Sequence, residues 1–169
     1  LDAATERGIA VLNAPAGNTV SAAELTLALM LSVVRRVPGA DASVRRGEWD
    51  RGRFKGAELR GRTLGLVGAG RVGQEVAQRC RAFGMHVVVS DPYLTDERAK
   101  ELGLDRADMG TVIESADILS LHVPLTDDTR GMIDQKIISR MKKSAFIVNV
   151  SRGQVIDEAA LAVALNEER

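Results

Sequence analysis

Three glycines in the segment from Gly68 to Gly73 follow a short apolar run and precede apolar residues at helical spacing. Gly68 permits a tight turn out of a strand, Gly70 lets a pyrophosphate approach the backbone, and Gly73 lets the next helix pack closely against the sheet. The free N–H groups and the positive dipole end of that helix then face the phosphates. This arrangement predicts a dinucleotide-binding site.

Asp91 stands at the end of a second β-branched run, after the helix that follows Gly73. A carboxylate at that position can accept hydrogen bonds from both ribose hydroxyls, and it would repel a 2′-phosphate. The sequence therefore predicts NAD, rather than NADP, as the cofactor.

Arg152 directly follows a predicted buried strand and is flanked by Ser151 and Gly153. A guanidinium there can clamp a carboxylate through two parallel hydrogen bonds or polarise a carbonyl, and the alternative is a structural ion pair with an acid such as Asp157. His122 lies at another strand end, where proton transfer is conceivable. No carboxylate is evidently placed to orient its ring, which favours a structural role. No spacing of His, Cys and acidic residues resembles a metal site.

Strands alternate with helices along the chain, which predicts an α/β fold with a doubly wound, mainly parallel sheet of the Rossmann type. Ligands of such sheets bind beyond the carboxyl ends of the strands, so the tips after residues 67, 89, 123 and 150 should share one crevice. Strands are predicted at residues 9–12, 64–67, 87–89, 117–123 and 145–150, and helices at 2–8, 22–37, 72–83, 95–102, 109–115, 134–141 and 158–165.

The predicted helix 22–37 is apolar on nearly every side, and Ser21 with Glu24 forms a capping box at its start. Such a helix must be covered all round, either within the fold or by a partner subunit. Residues 35–62 then carry nine Arg or Lys against four acids, with one Trp and one Phe interleaved. This basic arm fits a nucleic-acid patch, a site for a small phosphorylated acid, or a solvated or subunit-contact segment. Because the excess of basic residues is confined to this short segment, it argues against nucleic-acid binding.

The 169 residues suffice for one domain with a substantial core, and their net charge is zero. No apolar run reaches the ~18 residues of a membrane span, so a membrane is not an expected partner. With a net charge of zero, nucleic acid is not an expected partner either. The single Cys80 excludes an internal disulfide and suits a reducing compartment, which predicts a cytoplasmic protein. Because the chain starts at Leu1 rather than at Met, we expect a domain excised from a longer protein.

Several motifs occur in a fixed order along the whole chain. They are Asn13-Ala-Pro15 with Asn18, Ser21-Ala-Ala-Glu24, Trp49 through Phe54 to Gly56, Gly68 to Gly73, Asp91-Pro-Tyr93, His122-Val-Pro-Leu-Thr126, and Asn149-Val-Ser-Arg-Gly153 followed by Val155-Ile-Asp-Glu158. With these motifs the chain resembles the D-isomer-specific 2-hydroxyacid dehydrogenases. The resemblance implies an NAD-binding domain over residues 1–169, in a parent enzyme that oxidises a D-2-hydroxy acid to the 2-oxo acid.

The family pattern implies a role for each site residue. Arg71 and Val72 place backbone N–H groups on the pyrophosphate, and Arg152 is the catalytic arginine that holds the substrate carboxylate and polarises the 2-oxo group. Asn18 and Ser21 lie in a loop near the substrate, whereas His122 does not match the family's catalytic histidine. The expected cofactor-binding residues are Gly68, Gly70, Arg71, Val72, Gly73, Asp91, Val123, Val150, Ser151 and Arg152.

In the family, the substrate domain is built from both ends of the chain, and a particular histidine and glutamate carry out the acid–base chemistry. This chain matches neither the segments of the substrate domain nor that catalytic pair. The resemblance therefore implies an NAD-binding domain truncated at both ends and inactive alone. Residues 20–62, the long helix and the arm with Trp49, match the family's dimer contacts, which predicts a homodimer or homotetramer. The favoured substrate is 3-phosphoglycerate, in L-serine biosynthesis. Alternatives are glyoxylate, hydroxypyruvate or D-lactate, or a non-enzymatic NAD-sensing corepressor-like module.

Overall fold

A computed structural model describes residues 1–167, so the last two residues of the predicted domain 1–169 lie outside the described part. The strands are β1 (Thr63–Val67), β2 (His86–Ser90), β3 (Asp105–Arg106), β4 (Ile118–Leu121) and β5 (Phe146–Asn149). They form one parallel sheet in the order β3-β2-β1-β4-β5. The predicted doubly wound parallel sheet is confirmed.

Helices cover both faces of the sheet. They are α1 (Asp2–Thr5), α2 (Thr19–Val34), α3 (Val37–Arg45), α4 (Arg71–Ala82), α5 (Asp96–Leu102), α6 (Met109–Ser115), α7 (Gln135–Arg140) and α8 (Glu158–Asn166), with a 3₁₀ turn at Gly153–Val155. Buried side chains of α2, α4 and α5 form one core cluster, and those of α6 form another on the opposite face. None of the described helices is both long and apolar enough to cross a membrane.

Side chains of β4 alternate between the two clusters, as expected for a strand buried on both faces. Ile118 joins the cluster of α2 and α4, whereas Leu119 and Leu121 join the cluster of α6. By the same alternation Ser120 faces the side of α2 and α4. Strand β4 and all of β1 except Thr63 are buried, so these two paired strands form the centre of the sheet, and their carboxyl ends lie side by side.

The N-terminal quarter of the chain differs from the sequence prediction. The predicted strand 9–12 does not form: these residues pair with none of the described strands, and their apolar side chains are exposed. Helix α2 begins at Thr19, three residues early, with Asn18 as N-cap. The predicted capping box is absent, because Ser21 lies inside the first turn and its hydroxyl donates to the Asn18 carbonyl at 3.0 Å.

The predicted helix 22–37 also ends early, at Val34. Arg36 has a left-handed backbone conformation with φ of 55°, which interrupts the helix, and Pro38 then lies in the first turn of α3. Proline suits that position because its missing N–H is not needed there. Both α3, inside the basic arm, and the two-residue edge strand β3 were missed by the sequence prediction.

Candidate nucleotide-binding site

The turn between β1 and α4 requires glycine at two positions. Gly68 has φ of +94°, and a Cβ atom on it would lie 2.7 Å from the carbonyl oxygen of His122. A Cβ atom on Gly73 would lie 2.2 Å from the carbonyl oxygen of Gly68. A Cβ atom on Gly70, by contrast, would meet nothing within 4 Å. The turn is therefore closed against the sheet and open on its outer side at Gly70.

The start of α4 suits an anion. The helix has 12 residues, Gly70 is its N-cap, no side chain caps it, and its first turn contains no acid. The first N–H groups of a helix have no intrahelical partner, and the dipole makes this end positive. Together with the open outer side of Gly70, these groups form a cradle that fits a pyrophosphate.

The Ala69 peptide is held from both sides. Its N–H donates to Oδ2 of Asp91 at 2.7 Å, and its carbonyl accepts from the side-chain amide of Gln74, also at 2.7 Å. Oδ1 of Asp91 accepts from the backbone N–H of Tyr93 at 2.8 Å. Each carboxylate oxygen has more than one acceptor site, so Asp91 can still receive ribose hydroxyls. The contacts of Ala69 and Gln74 were not predicted, because no local sequence pattern indicates them.

The carboxyl ends of the strands meet at one edge. Val67 is in register with Ser90 on one side and with Leu121 on the other, and Leu121 is in register with Asn149. The next residue of each strand therefore belongs to the same crevice. Val123 reaches this crevice as well, because its Cγ1 lies 3.1 Å from the Cβ position of Gly68.

At the tip of β4, the Nε2 atom of His122 lies 2.8 Å from the hydroxyl of Ser120. The backbone N–H of His122 donates to Val67 at 2.8 Å. Burial lowers the pKa of His122 to about 4, so the ring is neutral at neutral pH.

The tip of β5 is shaped by Asn149. Its Oδ1 accepts from the backbone N–H and the hydroxyl of Ser151, at 3.0 and 2.7 Å, and its Nδ2 donates to the carbonyl of Arg152 at 2.9 Å. This network fixes the backbone that presents Arg152. Asn149 was not predicted as a site residue, although a side chain with both a donor and an acceptor is well suited to such a turn.

Arg152 is exposed and donates to the carbonyl of Ser151 at 2.9 Å. The alternative pairing with Asp157 does not form, since that carboxylate caps α8 by accepting from Ala159 and Ala160. Within residues 1–167, the ion pairs do not include Arg152. Its guanidinium is therefore available to a ligand.

The loop that carries Asn18 and Ser21 approaches the same region. The guanidinium of Arg71 donates to the carbonyl of Pro15 at 3.4 Å, which links this loop to the start of α4. Asn18 and Ser21 are both exposed. A substrate role for these two residues remains a prediction. In residues 1–167 no three His, Cys, Asp or Glu side chains are grouped as a metal site would need.

The chain matches known proteins along its length. The sequence profile of the D-isomer specific 2-hydroxyacid dehydrogenase NAD binding domain matches residues 27–169. D-3-phosphoglycerate dehydrogenase of Bacillus subtilis (strain 168) is 50% identical over 165 residues, which is 98% of this chain and 31% of that protein. The Methanocaldococcus jannaschii protein of the same name is 51% identical over 168 residues, which is 99% of this chain and 32% of that protein.

Among solved structures, D-lactate dehydrogenase from Aquifex aeolicus, complexed with NAD and lactic acid, has a TM-score of 0.88 at 34% identity. The match covers 99% of this chain and 50% of that one. This chain thus belongs to the D-isomer-specific 2-hydroxyacid dehydrogenases and is an NAD-binding domain of that family. It spans about a third of the length of the two sequence relatives.

Proposed function

We propose that this chain is the NAD-binding part of an enzyme that oxidises 3-phosphoglycerate to 3-phosphohydroxypyruvate, in L-serine biosynthesis. The glycine turn with Asp91 supports the cofactor, and the identity of about half to two proteins named D-3-phosphoglycerate dehydrogenase supports the substrate. The exposed Arg152 at the tip of β5 is the observation that carries the reaction class.

In this proposal the start of α4 binds the pyrophosphate through the backbone of Arg71 and Val72, and Asp91 accepts the adenosine ribose hydroxyls. Val123, Val150 and Ser151 line the crevice between the strand tips. The bound nicotinamide supplies the hydride chemistry.

Arg152 acts on the substrate rather than on the fold. Its planar guanidinium donates two parallel hydrogen bonds to the carboxylate of a 2-hydroxy acid, which fixes the substrate's orientation. Its positive charge also stabilises negative charge that develops on the neighbouring 2-oxygen. Proton transfer from that oxygen is assigned to acid–base groups outside this chain.

A second copy of the chain is the partner we propose for α2. One side of this helix is buried through Ala23, Leu27, Met30 and Val34, whereas Leu25, Leu29 and Val33 form a stripe at four-residue spacing on another side. These three side chains are 50, 41 and 47% exposed. An apolar stripe of this kind on a helix is typical of a subunit contact.

The basic arm fits the edge of such a contact better than a nucleic-acid patch. Arg45 pairs with Asp41 and Arg46 pairs with Glu48, so part of its charge is matched within the arm. Trp49 is 78% exposed, which leaves an aromatic surface of the arm available to a partner. In sedimentation of the full-length protein we expect a dimer or tetramer, and Leu29→Asp should lower the assembly state. Glu24→Ala, an exposed change on the same helix, should leave it unchanged.

For the compartment we propose the cytoplasm. The sequence contains one cysteine, Cys80, so it cannot form an internal disulfide, which suits a reducing environment.

A D-lactate dehydrogenase is the second candidate, because the solved structure with lactic acid shares the whole fold at 34% identity. A substrate panel on the full-length protein decides between them. We expect the highest kcat/KM with 3-phosphoglycerate and NAD. A higher kcat/KM with D-lactate, or with glyoxylate or hydroxypyruvate in the reverse direction with NADH, would overturn the substrate proposal. NAD binding without turnover of any acid would favour an NAD-sensing module.

A further inference from the structure

Ser120 is a polar residue in a mostly apolar part of the core. It is fully buried in β4, between the leucines Leu119 and Leu121, and it faces the side of α2 and α4. A buried hydroxyl destabilises a fold unless it has a hydrogen-bonding partner. The partner is Nε2 of His122, at 2.8 Å. Ser120 in β4 and His122 just beyond the end of β4 therefore form a polar pair two residues apart, and both lie on the face that α4 covers.

His122 lies directly against the glycine turn. Its carbonyl oxygen is 2.7 Å from the Cβ position of Gly68, and its own Cβ is 3.7 Å from the Cβ position of Gly73. Its N–H extends the hydrogen bonding between β4 and β1 by one residue, to Val67. The side chain thus lies between the sheet and the first turn of α4.

The charge of the ring matters at this place. The N-terminus of a helix is positive and would repel an imidazolium, whereas a neutral ring is tolerated there. Burial among apolar groups keeps His122 neutral at neutral pH. A protonated ring would be destabilised beside this end of α4, and the neutral ring avoids that repulsion.

We propose that His122 is a positioning residue for the cofactor: held by Ser120, its ring supports the glycine turn from the sheet side and keeps the first N–H groups of α4 directed at the pyrophosphate. This inference rests on the proposed binding of NAD at that turn. It assigns no contact between His122 and the nucleotide, and it assigns no part in proton transfer to this residue.

Three variants and one control test the proposal. His122→Ala removes the support, Ser120→Ala removes the atom that holds the ring, and His122→Gln keeps a neutral polar group at the reach of Nε2. His86→Ala changes the other histidine, which is exposed at the opposite end of β2. For each protein, the Kd of NAD and the Kd of adenosine are measured by titration at neutral pH, well below the unfolding temperature of every variant.

Adenosine lacks the pyrophosphate, so it reports on the ribose end of the site alone. We expect His122→Ala to weaken NAD binding about tenfold and Ser120→Ala about threefold, with adenosine binding unchanged in both. We expect His122→Gln to restore NAD affinity to within about threefold of the unmodified chain. His86→Ala should bind both ligands as the unmodified chain does.

A purely structural role would lower the unfolding temperature of the variants but leave the Kd of NAD unchanged, and that result would overturn the proposal. Equal losses for NAD and adenosine would also overturn it, because the effect would not pass through the pyrophosphate turn. If His122→Ala does not fold, the same two criteria apply to Ser120→Ala, and His122→Gln then serves as the variant expected to stay close to the unmodified chain. Failure of the unmodified chain to bind NAD would reject the proposed function itself, before any variant is compared.

Discussion

The carboxylate of Asp91 accepts a hydrogen bond of 2.7 Å from the backbone N–H of Ala69, 22 residues earlier in the chain. This contact joins the tip of β2 to the glycine turn that follows β1. Asp91 therefore shapes the phosphate cradle as well as presenting a carboxylate to the ribose. Its two functions are coupled, because one side chain serves both the turn and the proposed ligand.

Replacement of Asp91 by Ala should affect stability and binding together. The N–H groups of Ala69 and Tyr93 lose their acceptor, so the free energy of unfolding should fall by about 1–3 kcal/mol. NAD affinity should fall at least about tenfold, since the ribose loses a charged acceptor. Asp96→Ala is the control: it breaks the exposed ion pair with Arg106 and should change stability by less than about 1 kcal/mol.

Urea unfolding and NAD titration of both variants measure these effects. If Asp91→Ala left the free energy of unfolding unchanged, the Asp91 carboxylate would not be stabilising the glycine turn. Asp91→Ala removes the repulsion between the carboxylate and the 2′-phosphate of NADP, but it also loosens the glycine turn. We therefore expect NADP to bind this variant less tightly than NAD binds the unmodified chain.

Gly70→Ala and Gly73→Ala form a matched pair within one turn. The methyl group at residue 70 has open space, so Gly70→Ala should retain its stability but lose NAD affinity at the pyrophosphate. The methyl group at residue 73 would lie 2.2 Å from the Gly68 carbonyl oxygen, so Gly73→Ala should lose about 1–3 kcal/mol of stability as well. Thermal unfolding and calorimetry separate the two outcomes. Equal stability of the two variants would be inconsistent with the structure.

Stability should depend on pH through His122. Its pKa in the folded chain is about 4, below the ordinary value of 6.5, so the unfolded chain binds a proton that the folded chain does not. The contribution is fully present above pH 6.5 and is lost as the pH falls through the folded pKa. The loss is at most about 3 kcal/mol, at about 1.4 kcal/mol per pKa unit.

Urea unfolding of the chain and of His122→Gln across this range isolates the effect. Glutamine does not titrate there, so the stability of the chain relative to the variant should decrease as the pH is lowered. A pH-independent difference between the two proteins would show that the ring does not resist protonation in the fold.

The glycine turn and the position of Asp91 beside it could be predicted from sequence, because both depend on the local backbone and on the order of strand and helix. A positive φ at Gly68 and the close approach at Gly73 exclude other residues, and the alternation of strand and helix sets the distance to Asp91. The helix 109–115 was likewise predicted at its observed bounds, since Asp108 caps it through the N–H of Thr111.

Contacts between distant segments could not be predicted in this way. The hydrogen bonds that hold the Ala69 peptide depend on how the turn and β2 lie in space, not on spacing along the chain. Residues 9–12 have the apolar composition of a strand, but a strand forms only when a neighbouring strand pairs with it. The edge strands of this sheet are β3 and β5, and residues 9–12 pair with neither. The break at Arg36 depends on a left-handed conformation that arginine rarely adopts, so a second helix directly after α2 could not be predicted within the basic arm.

Arg152 should matter for turnover and not for the fold. In the full-length protein, Arg152→Ala should lose turnover by at least about a hundredfold, because the substrate carboxylate loses its clamp, and its loss of NAD affinity should be much smaller than that. Arg152→Lys should recover only part of the activity, because an ammonium cannot donate in the planar, bidentate arrangement. Arg98→Ala, which breaks an exposed ion pair with Glu101, is the control. Steady-state kinetics with 3-phosphoglycerate would contradict the assignment if Arg152→Ala remained fully active.

The central claim is that the carboxylate of Asp91 selects NAD. Parallel titrations of the unmodified chain with NAD and with NADP, under the same buffer and salt, test it most directly. We expect NAD to bind at least about tenfold more tightly, because a 2′-phosphate would lie against a carboxylate that the turn already holds in place. Equal affinities, or a preference for NADP, would contradict it.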